Sequence, residues 1–140
     1  MATVLQLFIS TPQPGPAQNV SVARAVADWG LDGCAHARRA SKRQILLMDA
    51  ETLEEMDLHP GQVKENVLTR GLDVRSLQGG QRLRVGGALL EVTIPCTPCR
   101  MFEDIRPGLE AQMRGKRGML CRVLEGGVIR PGDRIEIMQS

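Results

Sequence analysis

The run Pro95-Cys96-Thr97-Pro98-Cys99-Arg100 holds the residues best suited to chemistry, a Cys-x-x-Cys motif framed by prolines. A cysteine thiolate is a nucleophile and a soft-metal ligand, and a nearby guanidinium favours that form. Arg100 follows Cys99 at once, and Arg106 is near in the chain. The motif is compatible with a redox dithiol, half of a zinc site, or two small apolar residues in a turn. A thioredoxin-type dithiol should open a helix after a βαβ-like strand. Here Pro98 lies inside the motif and the flanking sequence reads as β, which argues against that chemistry. Cys96 is either a resolving thiol for Cys99 or a spectator.

Further candidates lie upstream. Gly30-Leu31-Asp32-Gly33-Cys34-Ala35-His36 is a glycine-punctuated turn carrying a thiol and an imidazole. Cys34, His36, Cys96 and Cys99 together supply ligand types for a structural tetrahedral zinc site, although the Cys-x-His spacing is tight. Such a site would make the chain a small zinc-binding domain. Against it, a chain of 140 residues needs no metal staple. Arg38, Arg39, Lys42 and Arg43 form a basic loop with no acid among them; it either faces water or holds a phosphate. Asn66, beside Glu65, either donates to a bound oxyanion or satisfies a loop backbone. Cys121 alternates into an apolar strand and reads as core, and His59, before Pro60, reads as solvated.

The elements that must position these groups are short. Residues 89–94 alternate apolar and polar side chains and read as a strand. Pro95 and Pro98 cannot donate to a sheet ladder, so the chain must leave the sheet there. Residues 3–10, 44–48, 82–85, 118–124, 128–129 and 135–138 also read as strands, with a hairpin turning at Gly86-Gly87. Residues 11–21 read as an ordered loop or flap, and 22–29 fit either a helix or a short strand. Asp49 is placed to cap a short helix at residues 50–56, and residues 106–114 read as a second one. No βαβ alternation is visible. The expectation is one mainly β domain over residues 1–140, a mostly antiparallel β-barrel with short helical insertions.

Composition narrows the function classes. Aromatic residues make up 2% of the chain, so no base-stacking platform exists and nucleic acid is not an expected partner. With 18 basic against 16 acidic residues, net charge does not point to a polyanion. The apolar opening at residues 4–9 is too short to cross a membrane, and no secretory signal pattern precedes the first strand. A cytoplasmic location is expected. Thiols stay reduced there, so the four cysteines are not read as a disulfide framework.

Taken in order, several stretches resemble the MOSC domain, the C-terminal domain of molybdenum cofactor sulfurases and its stand-alone bacterial relatives. They are Gly30-Leu31-Asp32-Gly33 with His36; Arg43-Gln44; Glu65-Asn66 with Thr69-Arg70-Gly71-Leu72; Leu77 to Gly86 running into Leu90-Glu91-Val92-Thr93; Pro98-Cys99; and Arg117-Gly118 through Glu125-Gly126-Gly127 to Gly132-Asp133. They span residues 20–138.

The resemblance implies a strongly bent β-barrel with a pocket around one family cysteine, which falls on Cys99. In that family the cysteine carries sulfur as a persulfide or ligates molybdenum of a bound pterin cofactor. It follows that Cys99 and His36 are the expected catalytic residues. Cys99 is also the expected metal ligand, and Arg43, Asn66, Arg38 and Arg100 are the expected cofactor contacts. His36, Arg43, Asn66 and Cys99 should converge. Many relatives read Gly-Asp-x-His where this chain has Gly33-Cys34-Ala35-His36, so the acid beside the histidine is replaced by a thiol. The sulfurases' desulfurase domain and the β-domain of amidoxime-reducing relatives have no counterpart here. The implied partners are therefore separate proteins: a cysteine desulfurase or other sulfur donor, and a reductase or molybdoenzyme acceptor. Any sulfurtransferase-type or molybdenum-dependent activity would depend on them.

Overall fold

The computed structural model describes residues 1–12 and 16–138. In chain order the strands are β1 (Thr3–Ile9), β2 (Gln18–Val20), β3 (Ala23–Val26), β4 (Gly30–Leu31), β5 (Ile45–Asp49), β6 (Val67–Arg70), β7 (Arg82–Val85), β8 (Ala88–Pro95), β9 (Met119–Glu125), β10 (Gly127–Ile129) and β11 (Ile135–Met138). Among the described residues three short α-helices, α1 (Ala50–Glu55), α2 (Met101–Ile105) and α3 (Leu109–Gln112), and a 3-10 turn at Val74–Ser76 interrupt them. The chain is mainly β, as its short apolar runs and glycine turns predict.

The expected closed antiparallel barrel does not form. The large sheet is open and mixed, in the order β11-β7-β8-β9-β5-β6-β1-β2, beside a three-stranded sheet β10-β3-β4. One bridge, Thr3 to Arg134, joins the two ends of the chain where a ladder would be needed. The mixed character comes from β5 and β6, which pair in parallel. A parallel pair needs a long crossover, and the segment carrying α1 supplies it. That β5-α1-β6 unit is the βαβ step absent from the sequence expectation. Part of the expected flap at 11–21 pairs with β1 as β2, while residues 13–15 lie outside the described residues.

Asp49 caps α1 by accepting from the Thr52 N–H at 3.1 Å. Of the helix expected at 106–114 only Leu109–Gln112 forms, as α3, behind Gly108 with φ of 82°; α2 precedes that span, at Met101–Ile105. β5 is buried along its whole length, because both of its faces are covered. Ile45 and Leu47 enter the core inside the curved sheet, while Met48 packs outward with Leu53, Phe102, Leu109 and Met113 beneath the helices. The candidate site lies on that outer face.

Candidate functional site

The floor is a cross-strand pair. Leu46 on β5 stands opposite Leu120 on β9, and both line a cavity of about 490 Å³. The turn holding the cysteines forms one wall. Its first anchor is the Cys96 N–H, which donates to the Gly118 carbonyl at 3.0 Å. Gly118 has φ of 100°, and a Cβ there would strike the Leu47 carbonyl oxygen, so only glycine lets the chain pass this close to β5. The second anchor is α2, whose Phe102 N–H donates to the Cys99 carbonyl at 3.1 Å. The Cys-x-x-Cys motif therefore does lead from a strand into a short helix, contrary to the sequence reading of its surroundings.

The basic loop forms the opposite wall. Gln44, fully buried, donates from Nε2 to the Arg38 carbonyl at 3.0 Å and to Asp28 Oδ1 at 3.1 Å. Its Oε1 accepts from the Val123 N–H at 2.9 Å. Asp28 Oδ1 also accepts from the Ala40 N–H, and these two bonds hold its carboxyl below the usual range. Thr93 Oγ1 lies 2.9 Å from the Leu120 carbonyl and 2.5 Å from that of Lys42, so its one hydrogen ties the loop to the β8–β9 pair.

Of the expected site residues, His36, Arg38, Arg43 and Cys99 line this one cavity, together with Cys96. Cys99 is exposed and Cys96 partly buried. Loss of hydration pushes the Cys96 thiol up, while Arg117 and Arg43 oppose that rise and Cys99 adds to it. His36 sits at the rim. Lost hydration first, then Lys64 and Arg117, hold its imidazole below the ordinary value, so it is neutral at pH 7.

Two expected residues lie elsewhere. Arg100 is exposed at the start of α2, outside the cavity lining. Asn66 is buried beneath the floor, where Oδ1 accepts from the Leu46 N–H at 2.9 Å and Nδ2 donates to the Phe8 carbonyl at 3.2 Å. Asn66 also donates to Cys34 Sγ at 3.4 Å, and the Ser10 N–H donates to the same sulfur. Cys34 is thus a core residue, and it is not brought together with His36, Cys96 and Cys99 as the zinc set requires. Among the described residues no group of three or more His, Cys, Asp or Glu side chains is placed to hold a metal. Arg106, read as a neighbour of the thiols, instead donates to the Met56 carbonyl at 2.6 Å at the end of α1. Cys121 is fully buried in β9, and burial pushes its thiol far up.

Arg117 is the residue that sequence reasoning missed. It is 6% exposed, and its Nε and Nη1 are buried without a hydrogen-bond partner. Its guanidinium lies 5.1 Å from the centroid of the Phe102 ring, within cation–π reach. It lines the cavity with Arg38, Arg43 and Lys64, and among the described residues no carboxylate lines it with them. The arrangement sets two thiols and an imidazole beside four cationic side chains on one cavity.

The fold is similar to three solved structures. One is the YUAD protein from Bacillus subtilis, at 22% identity and a TM-score of 0.81, over 97% of this chain and 94% of that one. YiiM from Geobacillus stearothermophilus aligns at 20% identity and 0.81, over 99% and 76% of the two chains. YiiM from Escherichia coli aligns at 21% and 0.70, over 97% and 71%. At such identities the likeness carries the fold alone. No curated protein matches the chain. Residues 39–136 match the model of the MOSC domain, and the chain belongs to that family.

Proposed function

We propose that the chain is a sulfur-carrying MOSC module in which Cys99 holds sulfur as a persulfide for molybdenum cofactor chemistry. The family is associated with that cofactor in general. The observation that carries the reading is the placement of Cys99: a free, exposed thiol on the wall of a cavity lined by Arg38, Arg43, Lys64 and Arg117 and, among the described residues, by no carboxylate. Attack on a sulfur donor needs a sulfur that the donor can reach, and Cys99 is exposed at this wall.

The same residues fit the molybdenum-pterin cofactor in kind. The cavity of about 490 Å³ falls in the roughly 300–1,000 Å³ range of small-molecule sites. Cys99 would ligate the metal, as a soft donor, and Arg38 and Arg43 would hold the phosphate. When bound, the cofactor would supply a redox metal with sulfur ligands. Neutral His36 at the rim is placed to accept a proton. Arg100 and Asn66 act from outside the cavity, the first by charge, the second by holding the floor. The partners are a sulfur donor such as a cysteine desulfurase and a molybdoenzyme or reductase as acceptor. The setting is the cytoplasm, where thiols stay reduced. No described helix is long and apolar enough to cross a membrane.

The test is intact-mass spectrometry after incubation with a cysteine desulfurase and cysteine. The parent should gain one sulfur atom and Cys99→Ser should gain none while keeping the parent's far-ultraviolet circular dichroism. Equal loading of Cys99→Ser refutes the reading.

A further inference from the structure

The buried guanidinium of Arg117 asks for a ligand. A charged group that is 6% exposed and has two nitrogens without an acceptor carries a desolvation cost that an acceptor lowers. Its Nε and Nη1 have no acceptor among the described residues. Glu65 has an unpartnered buried Oε1 of its own; burial raises its carboxyl, backbone N–H groups and the charge of Arg117 oppose that rise, and no ion pair joins the two among the described residues. Arg117 also lines a second cavity of about 550 Å³ on the far side of the cysteine turn, and Cys96 and Thr97 line both. Arg75 and Arg114 add positive charge there, against Glu110. An anion at Arg117 would therefore sit under the turn that carries the thiols. Arg117 and Cys96 line both cavities together, so the guanidinium and the sulfur share one wall.

A ligand that answers both features has its charge a bond or two from a transferable sulfur. Resting on the persulfide-carrier reading, we propose that the sulfur donor is a small anionic thiosulfonate of the thiosulfate class, its sulfonate held by Arg117. The planar fork of the guanidinium, within cation–π reach of Phe102, suits two oxygens of such a group. The Cys99 thiolate attacks the outer sulfur. A cysteine S–S bond forms, the donor S–S bond breaks, and sulfite leaves with the bonding electron pair. Charge and atoms balance: thiolate and thiosulfate dianion give persulfide anion and sulfite dianion, with no outside oxidant or reductant. Arg117, Arg43 and Lys64 stabilise the charge that gathers on the departing sulfite.

The experiment uses the reduced full chain in two parallel arms, thiosulfate alone and cysteine with a cysteine desulfurase. Adducts are mapped by mass and released sulfite is measured. Thiosulfate should load Cys99 with one sulfite released per sulfur gained, and added sulfate should compete. Arg117→Met should lower the ratio of thiosulfate-driven to desulfurase-driven loading by roughly ten- to a hundredfold, the loss of a charge-assisted hydrogen bond. Should Arg117→Met fail to fold, Arg117→Lys, which keeps charge but loses the fork, should lower the ratio in the same direction. Loading in the desulfurase arm alone overturns this donor class and leaves the carrier reading standing. Loading in neither arm overturns both. Thiosulfate loading that resists sulfate and either substitution, or that maps to Cys96, overturns the role given to Arg117 and Cys99.

Discussion

Replacing Asn66 by alanine should damage the fold and only through it the site. The side chain joins three segments: it accepts from the Leu46 N–H at 2.9 Å, donates to the Phe8 carbonyl at 3.2 Å and donates to Cys34 Sγ at 3.4 Å. Alanine leaves a buried N–H and a buried carbonyl without partners. Each such group costs about 1–3 kcal/mol, so the loss should be about 2–6 kcal/mol, the lower end applying if water enters the gap. Against a typical total of ~5–15 kcal/mol this is a large fraction. Urea unfolding followed by far-ultraviolet circular dichroism should show a lower midpoint with an unchanged slope. Below its new transition the variant should still accept sulfur, because Asn66 does not line the cavity. Parent-like stability combined with lost sulfur loading would refute the reasoning, since it would mean that Asn66 touches the ligand.

Gly118→Ala should cost at least ~2 kcal/mol in the same assay, from an alanine held at φ of 100° and a Cβ driven into the Leu47 carbonyl. Iodoacetamide applied briefly to the native protein should modify exposed Cys99 first and fully buried Cys121 last; peptide mapping that finds Cys121 first contradicts the placement. The folded protein holds His36 below its unfolded value near 6.5, so the unfolded chain binds that proton more tightly. The stability linked to His36 should be full above pH 6.5 and decline as pH falls through and below it. His36→Gln should flatten the melting temperature over that window, and a variant as steep as the parent speaks against it.

Local features were legible where the chain writes them locally. Gly86-Gly87 between alternating runs predicts the β7–β8 hairpin, and Asp49 before Ala50 predicts the α1 cap. Pro95 and Pro98 predict the exit from β8 that presents Cys99. The parallel β5–β6 pair was hidden because its crossover contains one short helix and a long loop, too little for a periodic signal. Closure was overread: short strands with glycine turns describe a curved open sheet as well as a barrel. Arg117 was illegible for a different reason. It stands between the expected helix at 106–114 and the expected strand at 118–124, and its burial against Phe102 of α2 depends on how those elements dock. The motif Arg117-Gly118 was the one available signal. Asn66 and Gln44 likewise owe their roles to partners far along the chain, which spacing cannot reveal.

The site of sulfur attachment tests the central claim most directly. After loading with a cysteine desulfurase and cysteine, the protein is digested without reductant and the peptide bearing both thiols is fragmented to place the added mass. The account predicts one extra sulfur atom on Cys99, with Cys121 and Cys34 unmodified. An adduct confined to Cys96, or a protein that gains no sulfur at all while folded, would contradict it.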